Sequence, residues 1–289
     1  MSVRKFLLPV TSPASSPSAL HVGLRLARMW NAHLEVLYVQ PDGSEMAPLA
    51  GEGLSGTLLE SMMASSEKES KARLQTLREL FAAEAEEAAI PVGTAHCGTN
   101  EPSTSFVVVE GREEQVIAHK ARLADLTIVP HPLAGEDVAT AEALHAVLFD
   151  SGRPVLLAPV QPPVYIGRRI AIAWNGTAYA ASALASAMPF IRQAEAVQIL
   201  ASEDYSRSGP SAEDVQDYIA QHGVSAEIQR FHAVNRAVGA GLLDSAKSFG
   251  ADLLTMGAYS TASRLRQLIL GGVTRHVLQY AEICVLMNR

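Results

Sequence analysis

Cysteine is nearly missing from this chain: 289 residues hold two, Cys97 and Cys284, one in each half. Two such isolated thiols build neither a disulfide framework nor a metal cluster, and they fit a reducing compartment. Long apolar runs are missing as well. The amino-terminal stretch MSVRKFLLPVTSPASS has an apolar run only from Phe6 to Val10. A signal peptide needs a longer apolar core and a membrane helix about 20 apolar residues, so a cytoplasmic protein with no membrane partner is expected. An excess of positive charge is also absent. A net charge of −7 argues against a non-specific partner of nucleic acid, because a phosphate backbone attracts basic surfaces.

The signatures of several chemistries are lacking too. The nine histidines form no H-E-x-x-H pair, and neither cysteine belongs to a C-x-x-C pair, so no metal site is expected. There is no G-x-S-x-G elbow and no P-loop. GEGLSG at Gly51–Gly56 spells G-x-G-x-x-G but follows the turn-rich QPDGSEMAPLA rather than a strand, so it reads as a connection.

What is present is apolar material, 48% of residues against 18% charged, enough for buried cores in about two domains. The chain also repeats itself. RKFLLPVTSPASSPSAL at Arg4–Leu20 resembles RRIAIAWNGTAYAASAL at Arg168–Leu184, and LADLTIVPHP at Leu123–Pro132 resembles GADLLTMGAY at Gly250–Tyr259. RPVLLAPV and EICVLMNR close the two copies, with the proline-bearing QPPVYIGRR between them. The expected domains are 1–160 and 167–289.

Each copy alternates strands with helices. In the second, strands are expected at Ile170–Trp174, Ala196–Leu200, Ala226–His232, Asp252–Met256 and Cys284–Met287. Helices are expected at Ala178–Ile191, Ala212–His222, Ala237–Ser248 and Val273–Tyr280. Short apolar strands separated by helices imply an α/β fold with a parallel sheet covered on both faces. In the first copy Met62 to Ala89 places Leu74, Leu77, Leu80 and Phe81 at helical spacing, with Glu67 and Lys71 as an i,i+4 pair. This reads as an amphipathic helix lying on the sheet, with a partner-binding helix as the lesser alternative.

The twofold pattern, with IAWNGTAYAASAL opening the second copy and MGAY…RLRQLILGGVTRHVL ending it, resembles a tandem universal stress protein. The resemblance covers nearly the whole chain and is more specific in the second half. It implies two doubly wound parallel-sheet sandwiches of strand order 3-2-1-4-5, an adenine-nucleotide alpha-hydrolase-like fold. It also implies that the final strands pair across a two-fold axis, here within one chain as an internal pseudo-dimer, with further pairing into a homodimer. Some members of the family bind ATP, through Gly, two residues, Gly, nine residues, Gly, then Gly, Ser or Thr.

Physical chemistry gives that signature a meaning. A glycine at a strand end lets the backbone approach a ribose or phosphate. A glycine pair opening a helix leaves unpaired amides and the positive end of the helix dipole for an anion, where Thr274 adds a hydroxyl. Here Gly257 takes the first position and Gly271 with Gly272 the last, but Ser260 replaces the second glycine and ten residues intervene. A non-glycine residue costs about 1–2 kcal/mol in left-handed geometry, so a different path is expected at Ser260. Asn175 stands where ATP-binding relatives have Asp, keeping an acceptor without the charge. Arg264, Arg266 and Arg275 are candidates for phosphate contact or are simply surface arginines.

In the first copy His131 takes the glycine position and Ala141-Glu142 the glycine pair. A carboxylate there repels phosphate, so this half is expected to have lost nucleotide binding. The resemblance therefore implies a stress-response regulator that holds ATP, with magnesium alongside, at Asn175, Gly257, Ser260, Arg264, Gly271, Gly272, Val273 and Thr274. A protein interaction module without nucleotide is the second reading and a weak ATPase the third. No general base is visible, so at most slow ATP hydrolysis is expected.

Overall fold

The structure is a computed structural model that describes residues 3–40, 56–93, 100–131, 142–205, 208–258 and 272–289. The first half runs β1 (Lys5–Pro9), α1 (Ser16–Trp30), β2 (His33–Gln40), α2 (Gly56–Glu87), β3 (Ser103–Glu110), α3 (Glu113–Ala121), β4 (Leu126–Pro130), α4 (Glu142–Asp150) and β5 (Val155–Ala158). The second runs β6 (Arg169–Trp174), α5 (Ala178–Ile191), β7 (Ala196–Ser202), α6 (Ala212–Gln221), β8 (Glu227–Phe231), α7 (Val238–Phe249), β9 (Leu253–Gly257), α8 (Gly272–Tyr280) and β10 (Cys284–Asn288).

All ten strands join one sheet in the order β3-β2-β1-β4-β5-β10-β9-β6-β7-β8. Each half is parallel throughout and has the expected order 3-2-1-4-5. The halves meet where β5 and β10 pair antiparallel, with Val155, Leu156 and Leu157 opposite Met287, Leu286 and Val285 in turn. These are fully buried apolar runs, and pairing them removes two edges that would otherwise template association. The internal pairing of the closing strands is thus realised.

Alternation along the strands sorts the core into two layers. Phe6, Leu8, Leu34, Ile172 and Leu286 face α1, α2 and α5, while Leu7, Leu37, Leu200, Leu254 and Val285 face α3, α4, α7 and α8. Both layers run through both halves. Trp30 at the end of α1 meets Phe190 of α5 edge-on at 5.5 Å.

The repeated Ala-Asp-Leu has one job twice over. Asp125 accepts hydrogen bonds from the Arg4 and Lys5 amides at 2.7 and 3.0 Å. Asp252 likewise holds the amides of Gly167, Arg168 and Arg169 at 2.6–3.2 Å. Each carboxylate satisfies the bare donors at the start of its half's first strand.

The helices start and stop where their end residues allow. Thr177 caps α5, its side chain accepting from the Ala180 amide, and Ser211 with Asp214 forms a capping box on α6. Asn31 and Gly250 end α1 and α7 in left-handed geometry. α2 is longer than the expected Met62–Ala89 and begins at Gly56, the last glycine of GEGLSG; Gly51–Ser55 lie outside the described residues. Leu77 and Phe81 of α2 are buried with Leu74 and Leu80 packed beside them, and Lys71 Nζ lies 2.6 Å from Glu67 Oε1.

Candidate functional site

The strand order reverses between β6 and β9, and the region beyond the carboxyl ends of strands at such a reversal is where ligands of doubly wound sheets bind. Three elements bring sequence-predicted residues there: the β6–α5 turn carries Asn175, β9 ends at Gly257, and α8 begins at Gly272. Ser260, Arg264 and Gly271, with Arg266, lie outside the described residues.

Asn175 builds its own turn. Its Oδ1 accepts from the Thr177 amide at 3.2 Å and from the Thr177 hydroxyl at 2.8 Å, and Thr177 Oγ1 in turn accepts from Ala180 N–H at 3.2 Å. Gly176 follows with φ 79°, a left-handed value that an Asn-Gly turn supplies at little cost.

Gly257 is required by packing. A Cβ there would come within 2.6 Å of the Ala180 nitrogen and of the Tyr179 carbonyl carbon, so its absence lets the first turn of α5 rest on the end of β9. Gly272 is different: among the described residues a Cβ there would meet nothing within 4 Å, and the residue is exposed. Val273 is half-buried and Thr274 buried. No acidic residue occupies the first turn of α8, which leaves the positive end of its dipole uncompensated from within.

The sequence reading missed a third wall. The segment after β7 folds back over the end of β6, where Trp174 Nε1–H donates to the Pro210 carbonyl at 2.8 Å. Gly209 sits so close that a Cβ would collide with the Gly176 carbonyl oxygen. The Asn-Gly pair in WNGT marks a turn, but nothing local announces its distant partner Gly209. His232, just past β8, is exposed and lies 3.1 Å from Glu203 and 3.5 Å from Asp204.

In the first half the corresponding position after β4 holds His131, which is buried, and α4 begins at Glu142. Ser15, Ser18 and His131 line a cavity of about 240 Å³ there together with Pro159. The residues from 132 to 141 lie outside the described set. Among the described residues, no group of three or more histidine, cysteine or acidic side chains is placed to hold a metal, and no helix is long and apolar enough to cross a membrane.

Two parallel sandwiches, each with a strand reversal beside its first strand, match a known profile. The Universal stress protein family profile matches residues 2–132 and 168–289, and the chain belongs to that family. Among solved structures it is similar to a universal stress protein from Archaeoglobus fulgidus DSM 4304, at 15% identity and a TM-score of 0.69, with 100% of this chain and 99% of that chain covered. A putative universal stress protein from Pseudomonas aeruginosa UCBPP-PA14 is similar at 16% identity and a TM-score of 0.56, over 99% of this chain and 93% of that one. These likenesses extend over both halves and show the fold. A search of curated protein sequences finds no match.

Proposed function

We propose that this universal stress protein is a cytoplasmic stress-response regulator whose second domain, 167–289, takes an adenine nucleotide, ATP with magnesium in the first instance. The first domain, 1–160, has a degenerate site and serves as its structural partner. The observation that carries this reading is the amino end of α8, where no described residue crowds the exposed Gly272 and no carboxylate of the first turn opposes an anion. Phosphates are assigned to Gly271, Gly272, Val273 and Thr274, flanked by Ser260 and Arg264, and the ribose to Asn175 and Gly257. Because Asn175 Oδ1 already serves Thr177, its amide NH₂ is the group left for a ribose oxygen.

Calorimetry and thermal unfolding with millimolar ATP test the reading. A ligand at a hundred times its Kd raises stability by about 2.7 kcal/mol. Gly272→Glu fits the open space, places a carboxylate where phosphate is assigned, and is expected to abolish that gain while leaving the unliganded midpoint within a few degrees. Silence of the native protein toward ATP, ADP and AMP alike would falsify the proposal.

A second reading, an interaction module without nucleotide, is favoured by the local employment of two site residues: Gly257 seats α5 and Asn175 caps its turn. Under it Gly272→Glu leaves partner binding and stability alone. Weak ATP hydrolysis would show as phosphate release exceeding that of a Gly271/Gly272 double variant.

A further inference from the structure

A cavity of about 670 Å³ lies at the junction of the halves and shares no lining residue with the cavity around His131, nor does it include Asn175, Gly257 or Gly272. That size is ordinary for a small-molecule site, and boundaries between domains are common places for one. Its apolar lining includes the buried Leu24, Ile166 and Phe190. One wall is α1, which presents Arg25 and Arg28 one turn apart; another is the end of α2, which presents Glu84 and Glu87 at the same spacing.

The charges around this cavity fall into two kinds. Arg168 and Glu195 satisfy one another at 2.6 Å, and Arg168 also stacks over Tyr165 at 4.8 Å. The four charges on α1 and α2 form no ion pair with any described residue, and Arg25 reaches only the Pro163 carbonyl, at 3.4 Å. Two guanidinium groups and two carboxylates thus line one space without closing on each other. Burial, and then the neighbouring Glu87, push the Glu84 carboxyl above its ordinary value, with His21 pulling it partly back. A cation beside these two carboxylates would favour their charged forms.

We propose that this junction cleft binds a small zwitterion with an apolar body, for which a free amino acid with an aliphatic or aromatic side chain is the simplest case. The ligand's carboxylate meets Arg25 and Arg28, its ammonium meets Glu84 and Glu87, and its side chain lies against Leu24, Ile166 and Phe190. A planar guanidinium pair suits a carboxylate, and each charge completes a pair that the described residues leave open. Because the cleft is lined from both halves, its occupant also ties them together.

The full chain is titrated by calorimetry and thermal unfolding with leucine, phenylalanine and tryptophan at up to about 5 mM. Parallel titrations use 3-phenylpropionate, which lacks the ammonium, and phenethylamine, which lacks the carboxylate. Expected are a raised midpoint with the amino acids and at least about tenfold weaker binding of both singly charged analogues. Arg25→Gln with Arg28→Gln is expected to erase the preference for phenylalanine over phenethylamine. Glu84→Gln with Glu87→Gln should erase the preference over phenylpropionate. The analogue series needs no variant and so stands even where a double variant folds poorly. Absence of binding by all three amino acids, equal binding of a singly charged analogue, or unchanged preferences in well-folded variants overturns the proposal. None of these measurements involves a nucleotide, so their failure leaves the reading of the α8 crevice untouched.

Discussion

Gly257 and Gly272 belong to one spaced motif, yet they stand in opposite surroundings. One is pressed against the backbone of α5 and the other has no described residue within 4 Å of where a Cβ would stand. Gly257→Ala is therefore expected to cost about 1–3 kcal/mol in urea unfolding, because backbone rather than a movable side chain blocks the added methyl. Gly272→Ala should be neutral or mildly stabilising, since alanine favours helix and meets nothing. Spacing in the sequence identified both glycines but could not separate packing from ligand approach. That distinction depends on Tyr179 and Ala180, which are remote from Gly257 in the chain. The same limit hid Gly209, whose need for a missing side chain arises only when it meets Gly176. Asn175 was legible as a strand-end polar group, but its bonds to Thr177 show it also shaping the turn.

At the scale of elements, the strands and helices of the second half were legible to within a residue or two because periodicity, caps and apolar runs are local properties. α5 at Ala178–Ile191 follows from Thr177 before it and the apolar face after it. Polar groups inside the sheet were not legible, since their partners come from other strands. Glu35 of β2 is buried, which raises its carboxyl. Lys120 at 2.9 Å and Lys5 at 3.1 Å more than reverse this and hold it below its ordinary value. His33, whose ring nitrogens meet Ser103 and Ser105 at 2.9 and 3.0 Å, is held below its ordinary value chiefly by burial.

Both folded-state shifts are downward, so each contribution is complete above the unfolded pKa and fades as pH falls through the folded one. Stability should thus decline below about pH 6.5 through His33 and again below about pH 4.3 through Glu35. Denaturant midpoints measured across pH should show the upper decline flattened in His33→Asn and the lower one in Glu35→Gln. The second variant is also expected to lose on the order of 1–3 kcal/mol at neutral pH, because it leaves two lysines without their charged partner.

The whole molecule is one sheet with two continuous core layers, so the halves should unfold together. The chain supplies a probe for each, Trp30 in the first half and Trp174 in the second. In Trp174→Phe and in Trp30→Phe alike, the fluorescence transition of the remaining tryptophan should therefore coincide with the far-UV circular dichroism transition of the same variant. Leu286→Ala, at the seam, is expected to cost about 2–5 kcal/mol and to shift both curves equally. Two separated transitions would show instead that the halves are energetically independent. The architecture at this scale was legible from the repeat itself, because a duplicated unit with apolar closing strands has two edges to hide.

The seam between β5 and β10 also fixes direction. Since those strands run opposite ways, every strand of the first half points its carboxyl end toward one rim of the sheet and every strand of the second toward the other. The space around His131 and the mouth at Gly272 consequently face away from each other. A body seated against one rim therefore leaves the other open to solvent.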